Sequence, residues 1–227
     1  MSNPTITKET LQFLECLKIN NNRTWFEEHK TAFKRHEAGA KTFYTGVKEE
    51  LNTHDAIEKL KMFRIYRDVR FSHDKTPYQP HFAGSFSRAG AKLRGGYYLR
   101  IRPGGESFIG CGFWQPDNND LHRIRKELEL DSSNFKKIID NSSFKNAWGE
   151  LKGEELKTAP KGFDKEDPNI ALIRKKAFLF THEFTDEEVI DPDFFSDIGK
   201  RFRAIRPFFD LMSDILTTNL NGESLLD

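Results

Sequence analysis

Phe63-Arg64-Ile65-Tyr66-Arg67-Asp68-Val69-Arg70-Phe71-Ser72-His73-Asp74-Lys75-Thr76-Pro77-Tyr78 is the stretch that decides how this chain reads. Apolar and polar residues alternate from Phe63 to Phe71, the period of a half-buried strand, because successive side chains point to opposite faces. Phe63, Ile65, Val69 and Phe71 then share an inner face, and Arg64, Tyr66, Asp68 and Arg70 share the outer one. Same-face neighbours lie roughly 6.6 Å apart at a rise of about 3.3 Å per residue, so Asp68 reaches both flanking arginines. Arg67 falls on the apolar face. An unpaired charge is costly there, and a carboxylate or a bound anion is expected beside it. Ser72 to Pro77 reads as a turn, since Asp and Ser bond their own backbone and Pro77 restricts the residue before it. Tyr78 and His81 open the next strand.

More strands follow. His81 to Ser87 alternates weakly, and Tyr97–Arg102 and Ser107–Trp114 flank Pro103-Gly104-Gly105-Glu106, a hairpin signal. Gly110 and Gly112 fall on one face of the second arm, where a backbone, a ring or a ligand must come close. Phe178 to Phe184 reads as a last strand. Helical spacing marks Leu11, Leu14 and Leu17 after a Thr7 cap. It also marks a longer helix opened by a Thr24 capping box, and a final helix from Asp191 that breaks or kinks at Pro207. The expected fold is α+β: an antiparallel sheet of about five strands, including 62–71, 97–102 and 107–114, packed against N-terminal and C-terminal helices. A single domain over 1–227 is expected, with 1–6 as a loose tail.

With 227 residues the chain is long enough to bury a core without metal or disulfide staples, and 21 Phe make that core phenylalanine-rich. Cys16 and Cys111 sit in unlike contexts and read as free thiols in a reducing compartment. No apolar run is long enough to span a membrane, and the basic-then-apolar pattern of a signal peptide is lacking, so a cytoplasmic location with no membrane partner is expected. The net charge of +1 hides an asymmetry: Lys61 to Gly105 carries ten Lys/Arg against two Asp/Glu, and no acid occurs between Asp74 and Glu106. Glu183 to Asp197 holds seven acids and no Lys or Arg. Segregated signs point to an anionic ligand or to docking of the basic sheet on the chain's own acidic segment.

Asn21-Asn22-Arg23-Thr24-Trp25-Phe26, Tyr66-Arg67-Asp68-Val69-Arg70-Phe71, Asp74-Lys75-Thr76-Pro77-Tyr78, Gly112-Phe113-Trp114-Gln115-Pro116 and Pro160-Lys161-Gly162-Phe163-Asp164 occur in an order that resembles the family named domain of unknown function 2461. The resemblance spans about Thr7 to Leu220. It implies one domain and brings no catalytic residue with it.

The chain has no phosphate-binding Gly-rich loop, dinucleotide fingerprint, Gly-x-Ser-x-Gly elbow, Cys-x-x-Cys pair or His-Glu-x-x-His pair, so no cofactor is expected. His73, Asp74 and His81 surround a turn without a recognised metal spacing, and no metal centre is assigned. What remains is a site for a phosphate- or carboxylate-bearing small molecule. Arg67, Arg70, Lys75, Arg100 and Trp114 are its expected binding residues. Asp68 or His73 is the candidate base and Tyr78 the candidate acid, if the site is also catalytic. The alternative is a module for single-stranded nucleic acid, with Tyr66, Tyr97, Tyr98 and Trp114 as stacking surfaces, or for a protein partner. The near-neutral balance of charge counts against nucleic acid, and no oligomeric state is specified.

Overall fold

The structure is a computed structural model that describes residues 3–226. Three helices, α1 (Lys8–Ile19), α2 (Arg23–Glu28) and α3 (Lys30–Leu51), precede strands β1 (Ile57–Met62), β2 (Phe82–Arg88), β3 (Gly96–Ile101) and β4 (Ser107–Phe113). Helices α4 (Asn118–Leu130), α5 (Ser133–Ile139), α6 (Ser142–Trp148) and the short α7 (Ile170–Ile173) lead to β5 (Phe178–Phe184). The chain ends in α8 (Asp186–Ile190), α9 (Phe194–Ala204) and α10 (Arg206–Thr217). The strands form one five-stranded antiparallel sheet in the order β1-β2-β3-β4-β5, so the fold is α+β. The expected hairpin is β3 and β4, whose turn places Gly104 and Gly105 at φ of 84° and 69°, open to glycine without strain.

The strand expected over 62–71 is a correction. Regular pairing stops at Met62, and of residues 63–81 only Tyr66 and Tyr78 form a bridge. The alternation is real: Ile65 is buried, Arg67 and Val69 are half-buried, and Tyr66, Asp68 and Arg70 are exposed. The partner arm, however, carries Pro77 and Pro80, which have no N–H to give a ladder. Phe63 and Phe71, expected inside, are 45% and 96% exposed.

By contact the residues divide into two compact units. One comprises the chain up to Phe86 together with Tyr98–Ile109 and Glu183–Lys200. Of the stretch 1–6 expected as a loose tail, residues 1 and 2 lie outside the described residues and Ile6 is buried. Thr7 caps α1 by accepting from Thr10 N, as expected. The next cap is Asn22 rather than Thr24, because its side chain accepts from Trp25 N at 3.0 Å. The long helix expected from there is broken at His29, which has φ −106° and ψ 10°. There the imidazole Nδ1 lies 2.8 Å from the Trp25 carbonyl and the ring stacks on the indole at 4.0 Å, a local bond that competes with helix continuation. In α3, Phe33, His36, Ala40, Phe43, Tyr44, Val47 and Leu51 are buried. Tyr44 anchors that stripe to the sheet, its hydroxyl shared between the carbonyls of Phe82 at 3.0 Å and Leu99 at 3.2 Å. Gly84 leaves room for the ring: a Cβ there would lie 2.9 Å from Tyr44.

The other unit comprises Ser87–Tyr97, Gly110–His182 and the residues from Arg201 on. Its core is aromatic, with Tyr97, Phe135, Trp148, Phe178, Phe180, Phe202, Phe208 and Phe209 all fully buried. Edge-on ring pairs such as Phe180–Phe208 at 5.1 Å and Tyr97–Phe209 at 5.1 Å join them. Arg88 lies among these rings with its guanidinium 4.9 Å from the Phe209 centroid. It donates to Arg94 O at 2.7 Å and Ser213 Oγ at 3.2 Å. Gly112 is required by close approach of backbone: its φ is 129°, and a Cβ would sit 2.1 Å from the Phe178 carbonyl oxygen. Of the two glycines expected to mark a close approach, Gly112 is therefore explained by the backbone of β5.

Candidate functional site

The chain leaves the sheet after Phe63, whose N–H donates to Ala83 O at 2.8 Å. A narrow neck follows, made by Gln79 N to Ile65 O at 2.7 Å and Arg67 N to Pro77 O at 2.9 Å. Beyond the neck the loop is held by side chains. Arg67 pairs with Asp74 and Thr76 through Nη1 and reaches Ser72 Oγ at 3.5 Å through Nη2. Its side chain is 19% exposed, so the inward guanidinium has the carboxylate partner its position demands. Asp74 accepts from Thr76 N at 2.9 Å and Oγ1 at 2.8 Å. The bond from the Thr76 amide, then that from Arg67, holds its carboxyl down at about 2. Lys75 Nζ closes the loop on Val69 O at 3.0 Å.

This neck borders a groove of about 460 Å³. Phe63, Arg64, Tyr66, Arg67 and Asp68 line it from the outgoing arm, Gln79 and His81 from the returning arm, and Ala83 and Tyr98 from the sheet. A second cavity of about 550 Å³, walled by Ile138, Phe144, Pro207 and Leu211, carries Lys137 as its one charged lining residue, so it does not answer the segregation of charge. The groove does. Asp68 is the one acid lining it, and both its oxygens are engaged by Arg70, at 3.0 and 3.2 Å from Nε and 2.6 Å from Nη2, with a further bond from Arg70 N. The Arg70 side chain, then its amide, lowers the Asp68 carboxyl below its usual range. Arg64 and the side-chain amide of Gln79 have no hydrogen-bond or ion-pair partner among the described residues. The Nδ1 of His81 is buried without a partner as well. Burial first, then the charges of Arg100 and Arg102, push His81 down to about 4, so its ring is neutral at pH 7 in a field made positive by arginines.

The sequence-predicted residues converge only in part. Arg67 and Asp68 line the groove. Arg70 is 77% exposed and serves Asp68, while Lys75 is spent on the loop backbone. His73 is exposed on the loop. Tyr78, offered as an acid, is 3% exposed and stacked on Phe26 at 4.1 Å. Burial raises its hydroxyl, so it is a core residue. Arg100 lies 4.5 Å over Phe108 and donates twice to Glu106 O, at 3.1 and 2.9 Å. Trp114 belongs to the second unit, and Tyr97, considered for stacking, is in that unit's core. Arg64, Gln79, His81 and Phe63 were not in the expected site, and Tyr66 and Tyr98, which also line the groove, were expected only as stacking surfaces in the nucleic-acid alternative. Pro77 and Pro80, which rule out a regular strand pair and so open the neck, were the available signal. Part of the acidic segment has a local use: Asp186 accepts from Gly104 N at 2.8 Å and Gly105 N at 3.0 Å, latching the hairpin turn.

Sheet, neck and groove define an α+β chain with a cationic, partly aromatic recess. The chain belongs to the family described as conserved hypothetical protein (DUF2461), whose profile matches residues 9–211. Neither the curated proteins nor the solved structures include a chain similar to it at a significant level.

Proposed function

We propose that this protein binds a small oxyanion-bearing molecule, a phosphate or carboxylate, in the groove beside the neck. The observation that carries this reading is Arg64: a guanidinium lining a recess whose one acid, Asp68, is already engaged by Arg70. A guanidinium gains most from a planar or tetrahedral oxyanion that takes two of its N–H groups. Arg67 adds a second, rigidly held cation, and Gln79 and His81 supply neutral hydrogen-bonding groups. The reading is binding rather than reaction. Asp68 is a weakened base by virtue of Arg70, and the other two candidate catalytic groups, His73 and Tyr78, do not line the groove. Cys16 and Cys111 are both free, which supports a reducing, cytoplasmic setting.

A thermal-shift titration with phosphate, sulfate and acetate tests the proposal. The expected result is a rise in Tm for wild type that is lost in Arg64→Ala, with the variant's own Tm unchanged. Equal shifts in both proteins would remove the groove from the account.

A further inference from the structure

We infer that the oxyanion ligand carries a planar heterocycle, and that a nucleoside monophosphate is the class of molecule the groove takes; this rests on the oxyanion reading above. Besides its cations, the groove is lined by three aromatic rings, Phe63, Tyr66 and Tyr98. Two of them are unusually open, Phe63 at 45% and Tyr66 at 55% exposure, although both occupy fixed places. Phe63 sits 6.3 Å from Tyr98, which is itself 5.3 Å from Phe108, so a row of rings crosses the open face of the sheet from the neck to β4. Tyr66 is braced separately, edge-on to Phe26 at 6.0 Å and against Tyr78 at 5.5 Å. Rings left partly in water beside a guanidinium offer π-faces to a base, and every base has a π-face to offer in return.

The polar groups fit the same ligand. A phosphate satisfies Arg64, with the Asp74-paired Arg67 beside it in the groove wall. The Gln79 amide presents a donor and an acceptor side by side, the pair that a base edge or a sugar hydroxyl pair complements. A recess of about 460 Å³ lies within the range of small-molecule clefts, which run roughly 300 to 1,000 Å³. A longer single strand is the less favoured partner, since Asp68 borders the groove and the chain's net charge is only +1.

Isothermal titration of the full chain with AMP, GMP, CMP and UMP, against ribose 5-phosphate, inorganic phosphate and a ten-residue oligothymidylate, decides the matter. At least one nucleotide should bind about tenfold or more tighter than ribose 5-phosphate, the increment expected of a stacked base. Phe63→Ser and Tyr66→Ser should each remove much of that increment while leaving ribose 5-phosphate binding alone. Phe71→Ser, at a ring 96% exposed and outside the groove lining, should change nothing. Ribose 5-phosphate or phosphate binding as tightly as any nucleotide would overturn the nucleotide inference and leave the oxyanion reading standing. Absence of binding by every probe would overturn both. Oligothymidylate binding far tighter than any mononucleotide, with a steep salt dependence, would also overturn the inference by assigning the rings to a strand.

Discussion

His81 and Arg67 show what single side chains contribute here. The folded His81 ring titrates at about 4 while an unfolded histidine titrates near 6.5, so the unfolded chain binds the extra proton first. Stability from this group is complete above about pH 6.5 and is lost as pH falls through the window down to about 4, by on the order of 3 kcal/mol. Urea unfolding at pH 7 and pH 4.5 should show that loss in wild type and a shallower one in His81→Phe. Equal slopes in the two would contradict the burial of a neutral ring. Arg67 was legible in part: its inward phase called for a carboxylate or a bound anion beside it, and the half-buried guanidinium is paired with Asp74. Arg67→Met should cost about 1 to 2 kcal/mol, discounted because Asp74 is 58% exposed, and should raise protease cleavage within 68–76. Unchanged proteolysis would mean the loop does not depend on it. Tyr78 was not legible, because alternation says that a ring points inward or outward but not that Phe26 waits to stack on it.

At the scale of elements, the sequence located most of the sheet. Pro103-Gly104-Gly105 gave the β3–β4 hairpin because only glycine takes those positive φ values cheaply. The failure at 62–71 has a local cause: alternation reports which side of a chain is buried, whereas a strand also needs a partner able to donate, and Pro77 and Pro80 remove that partner. The same limit applies to the helix expected from Thr24, where a side-chain bond from His29 outweighed favourable spacing. Gly112 ties β4 to β5 through backbone proximity alone, so Gly112→Ala meets both a disallowed φ and the Phe178 carbonyl. A loss of about 3 kcal/mol or more in chemical denaturation is expected. A loss below about 1 kcal/mol would show that β5 can shift to accommodate a methyl group.

Across the whole molecule, charge is distributed in blocks, and the basic block from Lys61 to Gly105 contains all nine residues that line the groove. Composition made that region conspicuous without saying which cations are free. Arg70, Lys75 and Arg100 are consumed by Asp68, Val69 O and Glu106 O, and sequence does not show such local bonds. Arg64 makes no such bond among the described residues, and the proposal gives it to the ligand. The most direct test of that claim is an arginine side-chain NMR titration, following the Nε–H resonances of the full chain as phosphate is added. The account predicts that the Arg64 and Arg67 resonances move together and saturate, with Arg100 and Arg88 unmoved. Saturating shifts at Arg88 or Arg100 with Arg64 silent, or no saturable shift at any arginine, would contradict it.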